Sequence, residues 1–297
     1  MNTKTLCAVV AGFLLINLLL IGWAISHRTP PELRVAFLDV GQGDSCVLET
    51  PTGKVIVIDT GGVSPESGDD EGRRTVAPYL RSRGINRIDV MILSHPHADH
   101  IGGAKTLIEQ FEVGALIDNG QDASSPLVSP ILNAAVSHHV VYQRGLRGMK
   151  LDCKDGVTAQ ILAPTPQECQ NEPPNNASVV AKIQFGNTSF LFTGDAEKDE
   201  EGELTRSGEP LQADVLKAGH HGSHSSTSPH FLASVHPSYA VISVGAHNRH
   251  GHPTPEVLER LKASHIQTYR TDKSGAVIAH SDGLRIRMES VRVGSRE

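Results

Sequence analysis

Ser94-His95-Pro96-His97-Ala98-Asp99-His100 follows directly on the apolar run Asp89-Val90-Met91-Ile92-Leu93. Three histidines and an aspartate thus fall within six residues at the end of what reads as a buried strand. Imidazole nitrogens and carboxylate oxygens are good ligands for zinc and related divalent cations. A tight turn after a strand aims neighbouring side chains in different directions. His95 and His97 can therefore serve one metal while Asp99 and His100 serve a second. A surface loop merely rich in histidine is the alternative, and this density at a strand terminus argues against it.

Two further strand ends carry residues of the same kind. The run Thr188-Ser189-Phe190-Leu191-Phe192-Thr193-Gly194 leads into Asp195, a carboxylate able to bridge two cations. The run Asp214-Val215-Leu216-Lys217-Ala218-Gly219 leads into His220-His221-Gly222-Ser223-His224. An aspartate after Thr-Gly is more often a turn residue than a ligand. Its placement, matching the other two termini, points to a site built along one edge of a sheet sandwich.

Outward from these segments the pattern alternates between strand and helix. Residues 34–40, 45–50 and 54–60 are short β-rich runs separated by Gly-Gln-Gly-Asp and Pro-Thr-Gly turns, which reads as an antiparallel meander. Helical patterns follow over 73–84, 101–111 and 129–139, with a strand at 115–119. The second half repeats the style, with strands at 158–164, 178–186, 188–195, 214–220 and 239–245 and helices at 197–208 and 254–264. Residues 276–281 and 284–290 read as a final hairpin. This order predicts two packed sheets covered by helices. Asp39-Val40-Gly41-Gln42-Gly43-Asp44 has the glycines of a phosphate cradle, but no lysine follows and the setting is a meander. It is read as a turn whose aspartates brace the site loops, and Asp59-Thr60-Gly61-Gly62 as part of the site floor.

A chain of 297 residues can bury a sizeable core without disulfides. The net charge of −6 argues against a broadly basic nucleic-acid surface while leaving room for a local cationic groove. Sixteen histidines, more than all phenylalanines, tyrosines and tryptophans together, are the unusual feature of the composition. Cys7, Cys46, Cys153 and Cys169 form no CxxC pair, so neither a zinc ribbon nor a redox motif is indicated. A Cys153–Cys169 disulfide stays open as an option in an oxidising compartment.

Residues 1–28 stand apart. From Leu6 to Ile25 the chain is apolar, with Asn17 its one strongly polar member. Such a helix reaches about 30 Å, enough to span a bilayer core. The alternative is a signal peptide cleaved near Ala24 and Ser26, but the run exceeds the usual length of a signal core, which favours a membrane anchor. Both readings place the rest outside the cytoplasm, either membrane-anchored or, after cleavage, secreted or periplasmic. Residues 29–32 then form a short stiff linker, 33–290 the globular domain and 291–297 a tail.

These residues resemble the metallo-β-lactamase superfamily, whose signature is the HxHxDH run at 95–100. More narrowly, the chain is similar to the hydrolase domain of ComEC competence proteins through FLDVGQGDSCVLETPTGKVIVIDTGG, LSHPHADHIGGA, FLFTGDAE, LKAGHHGSHSSTS and AVISVGAHNRHGHPTPEVLERL. The resemblance implies a four-layer αββα sandwich after one N-terminal hydrophobic helix, and a centre of two divalent ions, zinc or else manganese. It implies His95, His97, Asp99, His100, Asp195 and His220 as ligands, with Asp195 bridging. Many members have a further histidine before the bridging aspartate. Here Asn-Glu-Pro-Pro-Asn-Asn stands instead, so Asn175 or Asn176, with Asn176 taken as the candidate, is expected as a weaker ligand.

The resemblance implies an extracytoplasmic phosphodiesterase or nuclease acting through a metal-activated water, with Asp99 orienting the nucleophile. His252, in the loop Asn248-Arg249-His250-Gly251-His252-Pro253, is the expected proton donor to the leaving oxygen. Lys217, His221, Ser223 and Asn248 are expected substrate contacts. DNA or another phosphodiester is the expected partner, along with a membrane through the N-terminal segment; oligomeric state stays open. No multi-span channel region accompanies the domain, so transport by this chain is not expected. Alternatives are a phosphorylcholine-type esterase, a lactonase, a β-lactamase or a non-catalytic binding module.

Overall fold

The computed structural model describes residues 13, 16, 17, 31–64, 66–122 and 124–291. The chain divides into two compact units, residues 1–31 and 32–297. The expected apolar span, apart from Phe13, Ile16 and Asn17, lies outside the described residues, as do residues 292–297. Among the described residues no helix is long and apolar enough to cross a membrane.

The second unit is an αββα sandwich. Six strands open the first sheet: β1 (Leu33–Phe37), β2 (Ser45–Glu49), β3 (Val55–Thr60), β4 (Arg87–Ile92), β5 (Glu112–Asp118) and β6 (Val141–Arg144). Seven build the second: β7 (Lys150–Asp152), β8 (Val157–Ala163), β9 (Val180–Phe185), β10 (Thr188–Phe192), β11 (Val215–Lys217), β12 (Tyr239–Ile242) and β13 (Gln267–Arg270). The chain then returns to the first sheet with β14 (Ala276–Ser281) and β15 (Ile286–Val291). The orders are β15-β14-β1-β2-β3-β4-β5-β6 and β13-β12-β11-β10-β9-β8-β7. β1, β2 and β3 pair antiparallel, as the meander pattern predicts. From β3 to β6, and again from β10 to β13, neighbours are parallel.

Alternation along the strands sorts side chains into three apolar layers. Leu33, Val35 and Phe37 of β1 join Ile56, Ile58, Phe190, Phe192, Val215 and Val241 between the sheets. Phe37 and Phe192 stack there with ring centroids 5.8 Å apart. Val55, Val57 and Met91 face the other way, onto helices Ala77–Ser82, Ala104–Gln110 and Val128–Ser137. On the second sheet Leu191, Leu216, Ala240 and Ile242 meet Leu204, Phe231, Val235, Val257 and Leu261 from helices Lys198–Ser207, Pro229–Val235 and Pro255–Ala263. Because helices and the opposite sheet cover its two faces, every residue of β3 is buried and the segment reads as a continuous apolar run. Each large apolar side chain removed from water stabilises by about 1.5–3 kcal/mol, so these layers hold the strand ends in place.

Several elements differ from the sequence pattern. β6, β7 and β13 are not marked by it, and all three are sheet edges. Residues of β6 are exposed throughout, so no apolar face was selected there. The helix expected over 101–111 begins at Ala98 and divides into Ala98–Ile101 and Ala104–Gln110. A further helix, Pro166–Asn171, starts with a capping box between Thr165 and Glu168, a signal readable from T-x-x-E. Cys46, Cys153 and Cys169 are free and buried, so the optional Cys153–Cys169 bridge is absent.

Helix Lys198–Ser207 packs two glutamates inward. Glu201 caps the next helix by accepting hydrogen bonds from the Thr227 and Ser228 backbone N–H groups, the latter at 2.9 Å. Neither carboxyl oxygen of the neighbouring Glu200 has a hydrogen-bond partner among the described residues. Burial, and then the nearby Glu168, push the Glu200 pKa well above the usual carboxylate value. A carboxyl whose folded-state pKa is raised contributes stability below its unfolded pKa and loses it as pH rises through the folded value. Glu200→Gln is therefore expected to raise the melting temperature relative to wild type. The gap should be small at about pH 5 and grow toward about pH 8, as read by thermal melts across that range.

Candidate metal centre

The parallel strands bring their carboxyl ends to one edge, and the candidate ligands sit just beyond them. After β4 the backbone is extended at His97 (φ −79°, ψ 147°) and becomes helical from Ala98. This change separates the pair His95 and His97 from Asp99 and His100. After β10, Asp195 is buried and lies between the two pairs. His95 Nε2 lies 3.8 Å from Asp195 Oδ2, and His100 Nε2 lies 3.2 Å from Asp195 Oδ1. His95 Nε2 and His97 Nδ1 are 3.0 Å apart.

After β11, His220 (φ 46°, ψ 47°) and His221 (φ 53°, ψ 24°) both occupy the left-handed region. For non-glycine residues this costs roughly 1–2 kcal/mol each. It turns the two rings to different places. His221 is buried, with Nε2 at 3.1 Å from Asp99 Oδ2 and 3.6 Å from Asp195 Oδ2. His220 stands at the rim, with Nε2 3.8 Å from Asp195 Oδ2 and Nδ1 3.0 Å from Glu197 Oε1. The next residue, Gly222 (φ 82°), packs so tightly that a Cβ there would lie 2.6 Å from Pro253 Cβ. Gly43 (φ 137°) likewise lets its loop press against the Asp99 carbonyl.

Two donor sets therefore share Asp195. One is His95, His97 and Asp195. The other groups His100, His221 and Asp195 with either Asp44 or Asp99. We favour Asp99. Asp44 lies on the Nδ1 side of both imidazoles, 3.7 Å from His100 and 3.4 Å from His221, while the Nε2 atoms converge on Asp195. Asp44 is instead paired with the buried ammonium of Lys217.

Outer residues set the ring orientations. Asp59 accepts from the Ser94 N–H at 2.7 Å, the Ser94 hydroxyl at 2.8 Å and His100 Nδ1 at 2.9 Å. His221 Nδ1 donates to the Ser243 carbonyl at 3.0 Å. Both rings thus present Nε2 to the centre, the tautomer a metal ligand needs. Hydrogen positions here follow from the partners.

The electrostatics suit cations. Burial disfavours charge on His100, yet Asp195, Asp59 and Asp99 raise its pKa well above the histidine norm. His221 is likewise driven up to about 10, against burial, chiefly by Asp195 and Asp44. Burial and the His100 charge push His95 well down. Asp195 is held well below the carboxylate range, against burial, by His100 and His221. His100 Nε2 and Asp195 Oδ1 are buried without hydrogen bonds, which is the condition a bound cation would relieve. The donors are nitrogen and carboxylate oxygen, so the residues fit a pair of divalent ions.

Other expected residues are placed differently. Asn176 Oδ1 accepts from the Glu197 N–H at 3.1 Å, whereas Asn175 lines the cleft with its Oδ1 buried and unpartnered. Of the two amides, Asn175 is therefore the one in the cleft lining, while Asn176 is buried behind it. Lys217 is buried beneath the floor, donating to the Gly194 carbonyl at 3.0 Å, and does not line the cleft. Ser223 is also buried, bonded to Ser225 at 3.0 Å. The Asn248 amide is consumed by its own loop: Nδ2 donates to Gly245 and His252 carbonyls, and Oδ1 accepts from His250 and His252 N–H groups. His252 does line the cleft. Glu197 went unmarked in the sequence because its role depends on His220, Ser225 and Asn175 meeting it in space.

A model of the metallo-beta-lactamase superfamily matches residues 38–247. The chain belongs to this superfamily. ComE operon protein 3 of Bacillus subtilis (strain 168) is 35% identical to this chain over 257 residues, 83% of this chain and 33% of that protein. Competence protein ComA of Neisseria gonorrhoeae is 34% identical over 264 residues, 87% and 34% of the two chains. Recombination protein 2 of Haemophilus influenzae is 32% identical over 262 residues, 88% and 30%. The chain spans about a third of the length of these relatives. Among solved structures, CmlA, a diiron β-hydroxylase from Streptomyces venezuelae, superposes with a TM-score of 0.56 at 14% identity, covering 89% of this chain and 55% of that one. Zn(2+)-bound PqqB from Methylobacterium extorquens gives 0.50 at 11% identity, covering 77% and 85%. These likenesses establish a shared metallo-β-lactamase fold.

Cation binding must displace the protons that His100 and His221 hold. Titrating zinc into metal-free protein in weak buffer at neutral pH is expected to release about two protons as the centre fills. Because both histidines have raised pKa values, apparent metal affinity should climb with rising pH above neutrality. Calorimetry in buffers of different ionisation enthalpy counts the protons.

Proposed function

We propose that the domain is an extracytoplasmic phosphodiesterase with DNA as its substrate, using two divalent ions, zinc or manganese. The observation that carries this is the junction of the two donor sets, sharing Asp195 at the floor of an open cleft of about 470 Å³ whose wall includes Arg249, His250 and His252. Ions bound there would polarise the phosphoryl group and acidify a water toward neutrality. Competence and recombination are the words attached to the relatives, which supports a nucleic-acid substrate over a lactam.

His95 and His97 would hold one ion, and Asp99, His100 and His221 the other, with Asp195 between them. Asn175 and His220 face the remaining space, both anchored by Glu197 at 3.4 and 3.0 Å. His252 needs a revised role in the resting protein. Burial, reinforced by His220, His221 and His250, pushes its pKa down to about 4, so the ring is neutral at physiological pH. A bound phosphodiester places negative charge beside it and favours the protonated form. In this reading, His252 becomes a proton donor to the leaving oxygen once substrate is present.

Purified full-length protein should be assayed with zinc or manganese on single-stranded DNA, bis-p-nitrophenyl phosphate, phosphorylcholine esters and nitrocefin. Turnover of both phosphodiesters is the expected result, and turnover of nitrocefin alone would reject the assignment. His252→Ala should retain metal but lose about 10²-fold in kcat on DNA. Its loss on bis-p-nitrophenyl phosphate should be much smaller, since p-nitrophenolate leaves without a proton. Equal losses on the two would reject the donor role.

Location rests on the apolar run Leu6–Ile25, which supports either an anchor or a cleaved leader. A reporter fused after Glu297 should be active only outside the cytoplasm. Activity of a reporter that works solely in the cytoplasm would overturn this topology.

A further inference from the structure

The cleft wall carries a charge that the metal centre does not use. Arg249 lines the cleft and is exposed, and it makes no hydrogen bond or ion pair with any described residue. It lies more than 4 Å from the carboxylate oxygens of Asp99 and Asp195, since neither forms an ion pair with it, so its charge is not spent on the donor sets. The loop that carries it is nonetheless tied together by its own hydrogen bonds. Asn248, the preceding residue, makes four of them, between 2.6 and 3.2 Å. Pro253, just beyond, packs against Gly222. The guanidinium is therefore presented to the cleft on a braced support, which lowers the ordering cost of binding an anion.

The lining contains no phenylalanine, tyrosine or tryptophan. The rings in the lining are imidazoles, and His250 and His252 flank Arg249 in the same loop. Besides these rings, the cleft offers a ligand positive charge in two places, at the cation-binding floor and at Arg249.

We propose that Arg249 binds a phosphate flanking the scissile one, so that the preferred substrate is a nucleic-acid strand gripped by its backbone at more than one phosphate. This rests on the phosphodiesterase reading of the cleft and adds the strand as the substrate unit. The donor sets engage the reacting phosphate, and Arg249, which forms no ion pair with their carboxylates, engages its neighbour. A substrate with a single phosphate leaves that second contact unmade. Arginine suits the task because its planar fork pairs two phosphate oxygens at once.

The test compares Arg249→Ala and Arg249→Lys with wild type in the full-length protein, with metal content measured for each. The substrates are a mixed-sequence single-stranded oligonucleotide and bis-p-nitrophenyl phosphate. Arg249→Ala is expected to lose about tenfold in kcat/KM on the oligonucleotide, mostly through KM, and at least fivefold less on the single-phosphate diester. The slope of log kcat/KM against log salt for the oligonucleotide should become shallower by about 0.7, the value for one phosphate contact on a single strand. Arg249→Lys, which keeps the charge, should restore that slope. Equal losses on both substrates, or an unchanged salt slope, would overturn the proposal. Failure of wild type on both substrates would instead remove the phosphodiesterase reading beneath it.

Discussion

Asp195 sits where the two sheets meet at one edge, and the rest of the site is arranged around its buried carboxylate. A lone carboxylate in that position would be expensive, since burial opposes its ionisation. Its surroundings reverse that preference. His95, His100, His220 and His221 direct nitrogens toward it within 3.2 to 3.8 Å, and the Lys217 ammonium lies 4.0 Å away. His95 and His100 follow β4, Asp195 follows β10, and Lys217, His220 and His221 lie on or just after β11, so the charge balance at one atom pair depends on the register of those three strands. Moving any of those strands by one residue would send its ligand to the wrong face of the sheet.

A second shell makes the balance directional. Asp59 and Ser243 take the Nδ1 protons of His100 and His221, which leaves Nε2 of both rings directed inward. Lys217 neutralises Asp44 below the floor and grips the Gly194 carbonyl, fixing the turn that carries Asp195. The strained backbone at His220 and His221 belongs to the same design. Two successive left-handed residues split a histidine pair between the centre and the rim, a separation that an ordinary helical or extended segment would not produce.

The residues that carry chemistry were largely visible as types and spacing. The 95–100 cluster, Asp195 and the histidine pair at 220–221 each follow an apolar strand pattern, and the structure brings them together. The division of labour within them was less visible. His220 and His221 are adjacent in the chain and equivalent in composition, so only their backbone angles separate them. Lys217 and Asn248 look like phosphate contacts in a polar motif, yet each is consumed by protein acceptors or donors. The choice between Asn175 and Asn176 needed the structure, which puts Asn175 in the cleft lining and buries Asn176 against the Glu197 N–H.

Local sequence by itself determined the sheet-and-helix alternation, the meander at the start and the metal-type residues at strand ends. These rest on period-two burial, turn residues and donor chemistry, all of which are written over a few neighbouring positions. Only the tertiary structure decided the edge strands β6, β7 and β13, since each is only three or four residues long and has no fully buried residue to mark it. It alone also decided that Asp59 orients the His100 ring while Lys217 claims Asp44, that Glu197 gathers three partners, and that Arg249 stands in the cleft with no hydrogen bond or ion pair among the described residues. Each of those depends on distances between residues far apart in the chain, and such distances arise only when both sheets have packed.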